Sequence, residues 1–413
     1  MSPRCHRLRW SYAIFVALLL LTPATPLLGQ AEGPATGYTY TFGQTLEITL
    51  SLPLEPSPPA EANLSLRIGE EVTESHTLRV EAGRAQYRRD LREYPLPPFA
   101  RVTYWWTYTD KDGNLQRVGE ISFLYEDNRF QWQEITEDDI TLKWVAGSRE
   151  QMAPALDVAR NAQQDLEIIA QDIEPSTVSI YIYPSKPDLR LALRLSGREW
   201  IAGQAYPEVG VVLLAIPPSD ETYLELQRDL PHELTHLVLY RRLGARGYET
   251  LPTWLNEGLA SNFEQRPEPA YYLALQSAAE EENFIPLADL CTPFYAMPTN
   301  RLVLAYAESQ SVVDYLRRTY GWAGINTLLK TYEDGFGCSE GLEQALGFNL
   351  STLQREWRVW LQEGKQPVEE SRRLRTLGRI ALQDIAPWIF LLIFLSLPAT
   401  LFIFAGRIQK HRD

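Results

Sequence analysis

His232-Glu233-Leu234-Thr235-His236, followed by Trp254-Leu255-Asn256-Glu257-Gly258, is the stretch from which the rest of this chain is read. A helix puts residues i and i+4 on one face, so both imidazoles point at one spot. Two histidine nitrogens so placed suit a zinc ion, which a catalytic site holds with three protein ligands and one open position. Glu233 lies one residue round the helix from His232. It is badly placed to share the ion but well placed to take a proton from a water that the ion acidifies. The third ligand must come from elsewhere, and Glu257 is the choice. It falls in a second helical stretch, about Thr253 to Phe263, beyond the glycine-rich segment Leu243-Gly244-Ala245-Arg246-Gly247, which reads as a turn between two antiparallel helices. The competing reading is an ordinary buried helix with satisfied histidines. Against it, two of the chain's 5 histidines sit in this motif, and the apolar run Leu237-Val238-Leu239-Tyr240 continues the same helix.

Together, H-E-L-T-H and W-L-N-E-G-L-A resemble the gluzincin metallopeptidases, the thermolysin-like clan. More narrowly they are similar to the bacterial peptidase MA family of membrane-anchored metallohydrolases. The resemblance covers about Ile140 to Glu363. It implies Zn2+ on His232, His236 and Glu257, with Glu233 as general base. It also implies a tyrosine or histidine that stabilises the oxyanion. Tyr306, in Leu304-Ala305-Tyr306-Ala307-Glu308-Ser309, sits where these proteins carry a tyrosine on a later helix; a plain core tyrosine is the competing reading. One departure stands out. Thermolysin has an aspartate one turn after the ligand glutamate that holds a ligand histidine, and here that place is Ser261, with Asn262 beside it. Which group takes the second imidazole N–H is left open.

Val209 to Ala215 is β-branched and apolar and ends at Pro217-Pro218, so it reads as a strand. In gluzincins the strand before the zinc helix edges the cleft and binds an extended peptide by strand addition; a buried strand without a ligand is the alternative. Aminopeptidase gluzincins carry a glutamate here that reads the substrate amine. Ala202-Gly203-Gln204-Ala205-Tyr206 lacks it, which leans the reading towards an endopeptidase.

With 413 residues there is room for two domains and more. Arg4, Arg7 and Arg9 precede an apolar run from Trp10 to Leu21, with Gly29-Gln30-Ala31 as a cleavage site: a signal peptide over 1–31, or else an uncleaved anchor. Ile385 to Gly406 carries no charge and has the length of a bilayer span, predicting a transmembrane helix over 385–406 with a cytoplasmic tail at 407–413. The localisation expected is a single-pass cell-membrane protein whose catalytic part is extracytoplasmic. A net charge of −14 gives no footprint for nucleic acid. The partners expected are a peptide or protein substrate and the membrane. Cys291 and Cys338 then lie in a compartment where disulfides persist, and pairing them is open.

Between the termini, 37–132 shows short alternating strands with proline breaks. Thr45 to Leu50, Asn63 to Ile68 and Val102 to Tyr108 alternate, and Asp110-Lys111-Asp112-Gly113-Asn114 reads as a hairpin turn. Trp105 and Trp106 face opposite ways, one to the core. The fold class predicted is α+β: an immunoglobulin- or fibronectin-like β-sandwich (37–132), a thermolysin-like zincin domain (133–365), a juxtamembrane linker (366–384) and a C-terminal transmembrane helix. Ser148 and Gln151 predict a capping box opening a long helix. The function expected is a membrane-tethered zinc peptidase. The alternatives are a non-enzymatic adhesion or sensor protein with structural zinc, and a zinc hydrolase acting on a non-peptide bond.

Overall fold

The structure is a computed structural model. It describes residues 33–364, apart from 56, 70–72, 172, 174–175, 194–202 and 295–296. The described residues form two compact units, 33–96 with 101–124 and 97–100 with 125–364.

The first unit is all β. Its strands are β1 (Ala35–Thr41), β2 (Thr45–Ser51), β3 (Glu61–Ile68), β4 (Glu74–Arg79), β5 (Arg84–Asp90), β6 (Arg101–Thr109) and β7 (Leu115–Leu124). They pair antiparallel into two sheets, β1-β2-β5 and β4-β3-β6-β7. Alternation decides which face is inside: Leu46, Ile48 and Leu50 of β2, and Leu64 and Leu66 of β3, are wholly buried. Each such leucine or isoleucine contributes about 1.5–3 kcal/mol by leaving water. The inner faces meet. Trp106 of β6 is wholly buried and its Nε1–H donates to Thr36 Oγ1 of β1 at 3.0 Å, while Tyr38 stacks on Phe123 with ring centroids 3.9 Å apart. Trp105 faces outward beneath the Arg117 guanidinium, 4.8 Å from its ring. Asp110 Oδ1 accepts the N–H groups of Asp112 and Asn114 and closes the β6–β7 turn.

The second unit is mixed. Strands β8 (Gln133–Glu137), β9 (Ile140–Trp144), β10 (Val178–Tyr183), β11 (Gly203–Tyr206) and β12 (Val211–Ala215) form one sheet in the order β11-β12-β10-β9-β8. Strands β9, β10 and β12 run parallel, and the two outer strands are antiparallel. Helices α1 (Arg149–Met152) and α2 (Pro154–Ala170) carry the crossover from β9 to β10, and α3 (Lys186–Leu193) follows β10. The Ser148–Gln151 capping box forms and opens α1. Then come α4 (Thr222–Thr250), α5 (Thr253–Phe263), α6 (Pro269–Glu281), α7 (Thr299–Glu333), α8 (Cys338–Leu346) and α9 (Leu350–Gln362). Helix α4 lays Leu226, Leu230, Leu234 and Leu237 into the core shared with α2 and the sheet. A disulfide joins Cys291, before α7, to Cys338 at the start of α8.

Three expectations are corrected. The strand ending at Ala215 is not the sheet's edge. All five residues of β12 are buried and it lies between β11 and β10, so the short β11 is the outer strand. An apolar run with no alternation is what a strand covered on both faces requires. The segment around Gly244 is no open turn. The chain stays helical to Thr250 with a single break at Gly244 (φ 66°, ψ 172°), a conformation open to glycine, and the reversal falls at Leu251-Pro252. Finally, the fold class is a mixed α+β architecture with an N-terminal β-rich unit, and the membrane span expected of it is not found among the described residues. Among the described residues no helix is long and apolar enough to cross a membrane. The segments read as signal peptide (1–31), linker (366–384), transmembrane helix (385–406) and tail (407–413) lie outside the described residues.

Candidate metal centre

Helix α4 carries His232 and His236 one turn apart, with their rings 5.1 Å apart at 75°. Pro252 ends the reversal and opens α5, whose first turn hangs on the Pro252 carbonyl through the N–H groups of Leu255 and Asn256. This brings Glu257 back against α4. His232 Nε2 lies 3.3 Å and His236 Nε2 3.8 Å from Glu257 Oε2. The donor atoms of the three side chains fall within 4.8 Å of one another. Gly258 lets α5 pack closely on α7, since a Cβ there would collide with the Ser309 carbonyl and Val313 of α7.

The second nitrogen of each ring is engaged. His232 Nδ1 meets Glu264 Oε1 at 3.1 Å, and His236 Nδ1 meets Asn256 Oδ1 at 2.9 Å. Ser261, the position singled out in the sequence, does not hold a histidine; Glu264 does. It lies seven residues after Glu257, two helical turns along the same face, and that spacing was the available signal. Asn256 was in plain view as the residue before the ligand glutamate.

Burial opposes charge on His232, yet the Glu257 and Glu264 carboxylates outweigh it and hold its pKa well above the ordinary value. For Glu257, burial pushes upward, but the imidazoles of His236 and His232 win and keep it low. Burial dominates at His236, whose pKa is depressed. This is the balance of a pocket built around positive charge. A tetrahedral zinc ion with bonds of about 2.05 Å has ligand atoms about 3.3 Å apart. The His232 nitrogen–oxygen distance of 3.3 Å meets that requirement, the His236 distance of 3.8 Å exceeds it slightly, and the donor set is two imidazoles and a carboxylate. The residues therefore fit a zinc ion.

Glu233 is buried on the neighbouring face of α4, its pKa pushed up to about 8, chiefly by burial. The Ala205 backbone N–H of β11 lies near enough to its carboxylate to oppose that rise. Gly203 of the same strand lies so close that a Cβ would fall 2.5 Å from Glu233 Oε1. Tyr306 of α7 approaches from the other side, its ring 6.3 Å from His232, 6.3 Å from Tyr271 and 5.3 Å from Phe294. Burial, then the charges of Glu257 and Glu233 with Tyr271 beside them, keeps its hydroxyl protonated far above the ordinary range. The structure thus brings His232, Glu233, His236, Glu257 and Tyr306 into one neighbourhood. A cleft of about 900 Å³, lined among others by Asp165, Phe263, Glu264 and Trp322, adjoins Glu264 and not the three ligands.

A family model described as the Peptidase MA superfamily matches residues 161–363, which hold every one of these side chains. A comparison with curated proteins finds no match to this chain. Among solved structures, an aminopeptidase N family protein from Idiomarina loihiensis is 11% identical with a TM-score of 0.39, covering 78% of this chain and 75% of its own. A polysaccharide deacetylase from Bacillus cereus is 10% identical with a TM-score of 0.20, covering 42% and 58%. The bromide derivative of BhCBM56 is 12% identical with a TM-score of 0.19, covering 22% and 91%.

Proposed function

We propose that the chain is a zinc-dependent peptidase that hydrolyses peptide bonds, acting as an endopeptidase on peptide or protein substrates outside the cytoplasm. The observation that carries this reading is the convergence of His232 Nε2 and His236 Nε2 on Glu257 Oε2, with Glu233 buried beside them. It falls within the residues matched by the Peptidase MA superfamily model, which supports a peptidase-like function. His232, His236 and Glu257 would hold the ion. When bound, zinc supplies Lewis acidity, polarising a carbonyl oxygen and acidifying water.

The chain's own residues do the rest. Glu233 accepts the proton of the attacking water and passes it to the leaving nitrogen; burial and the close backbone of Gly203 limit where its carboxylate stands. Tyr306, kept neutral by burial, donates its O–H to the oxyanion that develops on the carbonyl. Strand β11, the outer strand of the sheet among the described residues, offers its edge to an extended substrate. Its segment Gly203-Gln204-Ala205-Tyr206 has no carboxylate to read a free amine, which favours cleavage within a chain. The Cys291–Cys338 disulfide supports an oxidising compartment. Three protein ligands make the set of a catalytic zinc, since structural sites close with four.

The test is Glu233→Gln in the full chain, with zinc content and cleavage of a peptide library measured together. The expected result is about one zinc per chain in both proteins and a loss of hydrolysis of roughly 10²–10⁴-fold in the variant. Undiminished cleavage by Glu233→Gln, with other proteases excluded, would sink the mechanism.

A further inference from the structure

We propose that Tyr248 is a positioning residue of the metal centre, its hydroxyl holding the Asn256 amide in the orientation that leaves the His236 Nε2 lone pair facing Glu257. The inference rests on the reading of His232, His236 and Glu257 as metal ligands and adds a residue that touches none of them directly through its hydroxyl bond.

An asparagine amide has two ends of opposite character, and turning it over exchanges donor for acceptor. Asn256 Oδ1 faces His236 Nδ1 at 2.9 Å, and its Nδ2 donates to Tyr248 Oη at 3.3 Å. In this orientation His236 Nδ1 must carry the proton, which leaves Nε2 bare beside Glu257 Oε2, 3.8 Å away, as a shared metal ion requires of both atoms. Turned over, the amide would donate to Nδ1 and force the proton onto Nε2, the nitrogen a metal needs bare. A phenol hydroxyl both gives and accepts, so something must fix its role. The Tyr248 hydroxyl lies in the field of Glu257, Glu233 and Glu208. The Glu257 and Glu208 carboxylates draw the O–H proton towards themselves, leaving a lone pair for the Asn256 amide nitrogen, which can only donate.

The fold holds this tyrosine firmly. The break at Gly244 redirects the last turn of α4, and Gly247 lets that turn sit against the Tyr332 and Glu333 backbone of α7. Thr250 Oγ1 ties it down by donating to Tyr332 O at 3.1 Å. The Tyr248 ring meets Tyr240 edge-on at 5.5 Å. A phenylalanine would keep all of these contacts and lose the hydroxyl alone.

The test uses the full chain as wild type, Tyr248→Phe, Asn256→Asp and the double variant. Zinc affinity is measured by chelator competition, and the His236 tautomer by ring-nitrogen NMR of the metal-free protein, where 5 histidines keep the spectrum simple. Tyr248→Phe is expected to weaken zinc binding about 10-fold and to move the His236 proton from Nδ1 towards Nε2. An aspartate has no amide to orient, so in the Asn256→Asp background the same substitution is expected to cost little. An unchanged tautomer in Tyr248→Phe, or an equal loss of affinity in both backgrounds, overturns the proposal. If wild type binds no zinc, the peptidase reading falls, while the tautomer measurement still decides the role of Tyr248.

Discussion

At the scale of residues, the candidate centre is governed by what stands against Glu233. Its carboxylate is buried and stands close against the bare α-carbon of Gly203. Gly203→Ala would place a methyl 2.5 Å from Glu233 Oε1 and 2.9 Å from its Cγ, so the base must move. A displacement on the order of 1 Å costs about 10²-fold in catalysis. The expected outcome is a kcat lower by about that factor, with zinc affinity unchanged, because Gly203 touches no ligand. A variant with full kcat, or one that loses zinc in parallel, would show that the contact does not position the base. The local part of this centre was legible in the sequence. His232, Glu233 and His236 are related by one helical turn, and no tertiary knowledge is needed to place them together. Glu264 was signalled only by its spacing from Glu257 and Tyr248 not at all, because their roles depend on where α5 and the end of α4 come to rest.

At the scale of elements, α7 does more than bring Tyr306 forward. Two residues on, Glu308 is wholly buried. Its Oε1 accepts the Ile285 N–H at 2.9 Å, and its Oε2 has no partner among the described residues. Burial pushes its pKa up to about 8 against the opposing pull of the Ile285 N–H, Arg358 and Arg301. A folded-state pKa above the ordinary 4.5 means that the folded chain holds a proton the unfolded chain releases between about 4.5 and about 8. The contribution is fully present below that window and is lost as pH rises through it. Glu308→Gln keeps the acceptor oxygen and removes the titration. The variant should therefore be more stable than wild type near pH 8, by on the order of a few kcal/mol, and the gap should close towards pH 4.5. Denaturant titrations across that range measure it; parallel stability curves for the two proteins would refute the assignment. The elements also show why sequence misjudged the sheet. An apolar strand announces burial and says nothing of its neighbours, so β12 could be read as an edge or as a buried strand, and Gly203-Gln204-Ala205-Tyr206, half-buried and weakly patterned, was not read as a strand at all.

At the scale of the whole molecule, two compact units share one chain, and the metal-competent grouping found among the described residues belongs to the second. The first draws its stability from a sandwich core of Leu46, Ile48, Leu64, Leu66 and Trp106, with no metal in the account. The second draws on a larger core, on the Cys291–Cys338 bridge and, as proposed, on zinc between α4 and α5. A ligand that binds only the folded state stabilises it by about 2.7 kcal/mol at a hundredfold excess over Kd. For a unit of this size that corresponds to a rise in Tm of roughly 5–10 °C. Calorimetry of the zinc-loaded chain should accordingly resolve two transitions, and a chelator should lower one of them by about that amount while leaving the other in place. His236→Ala should carry its lowered transition from the start and show no response to the chelator. Were both transitions to fall together, zinc would be holding more than α4 and α5. Were neither to move, the three converging side chains would be no metal site, and the sandwich would become the part of the molecule whose function needs finding.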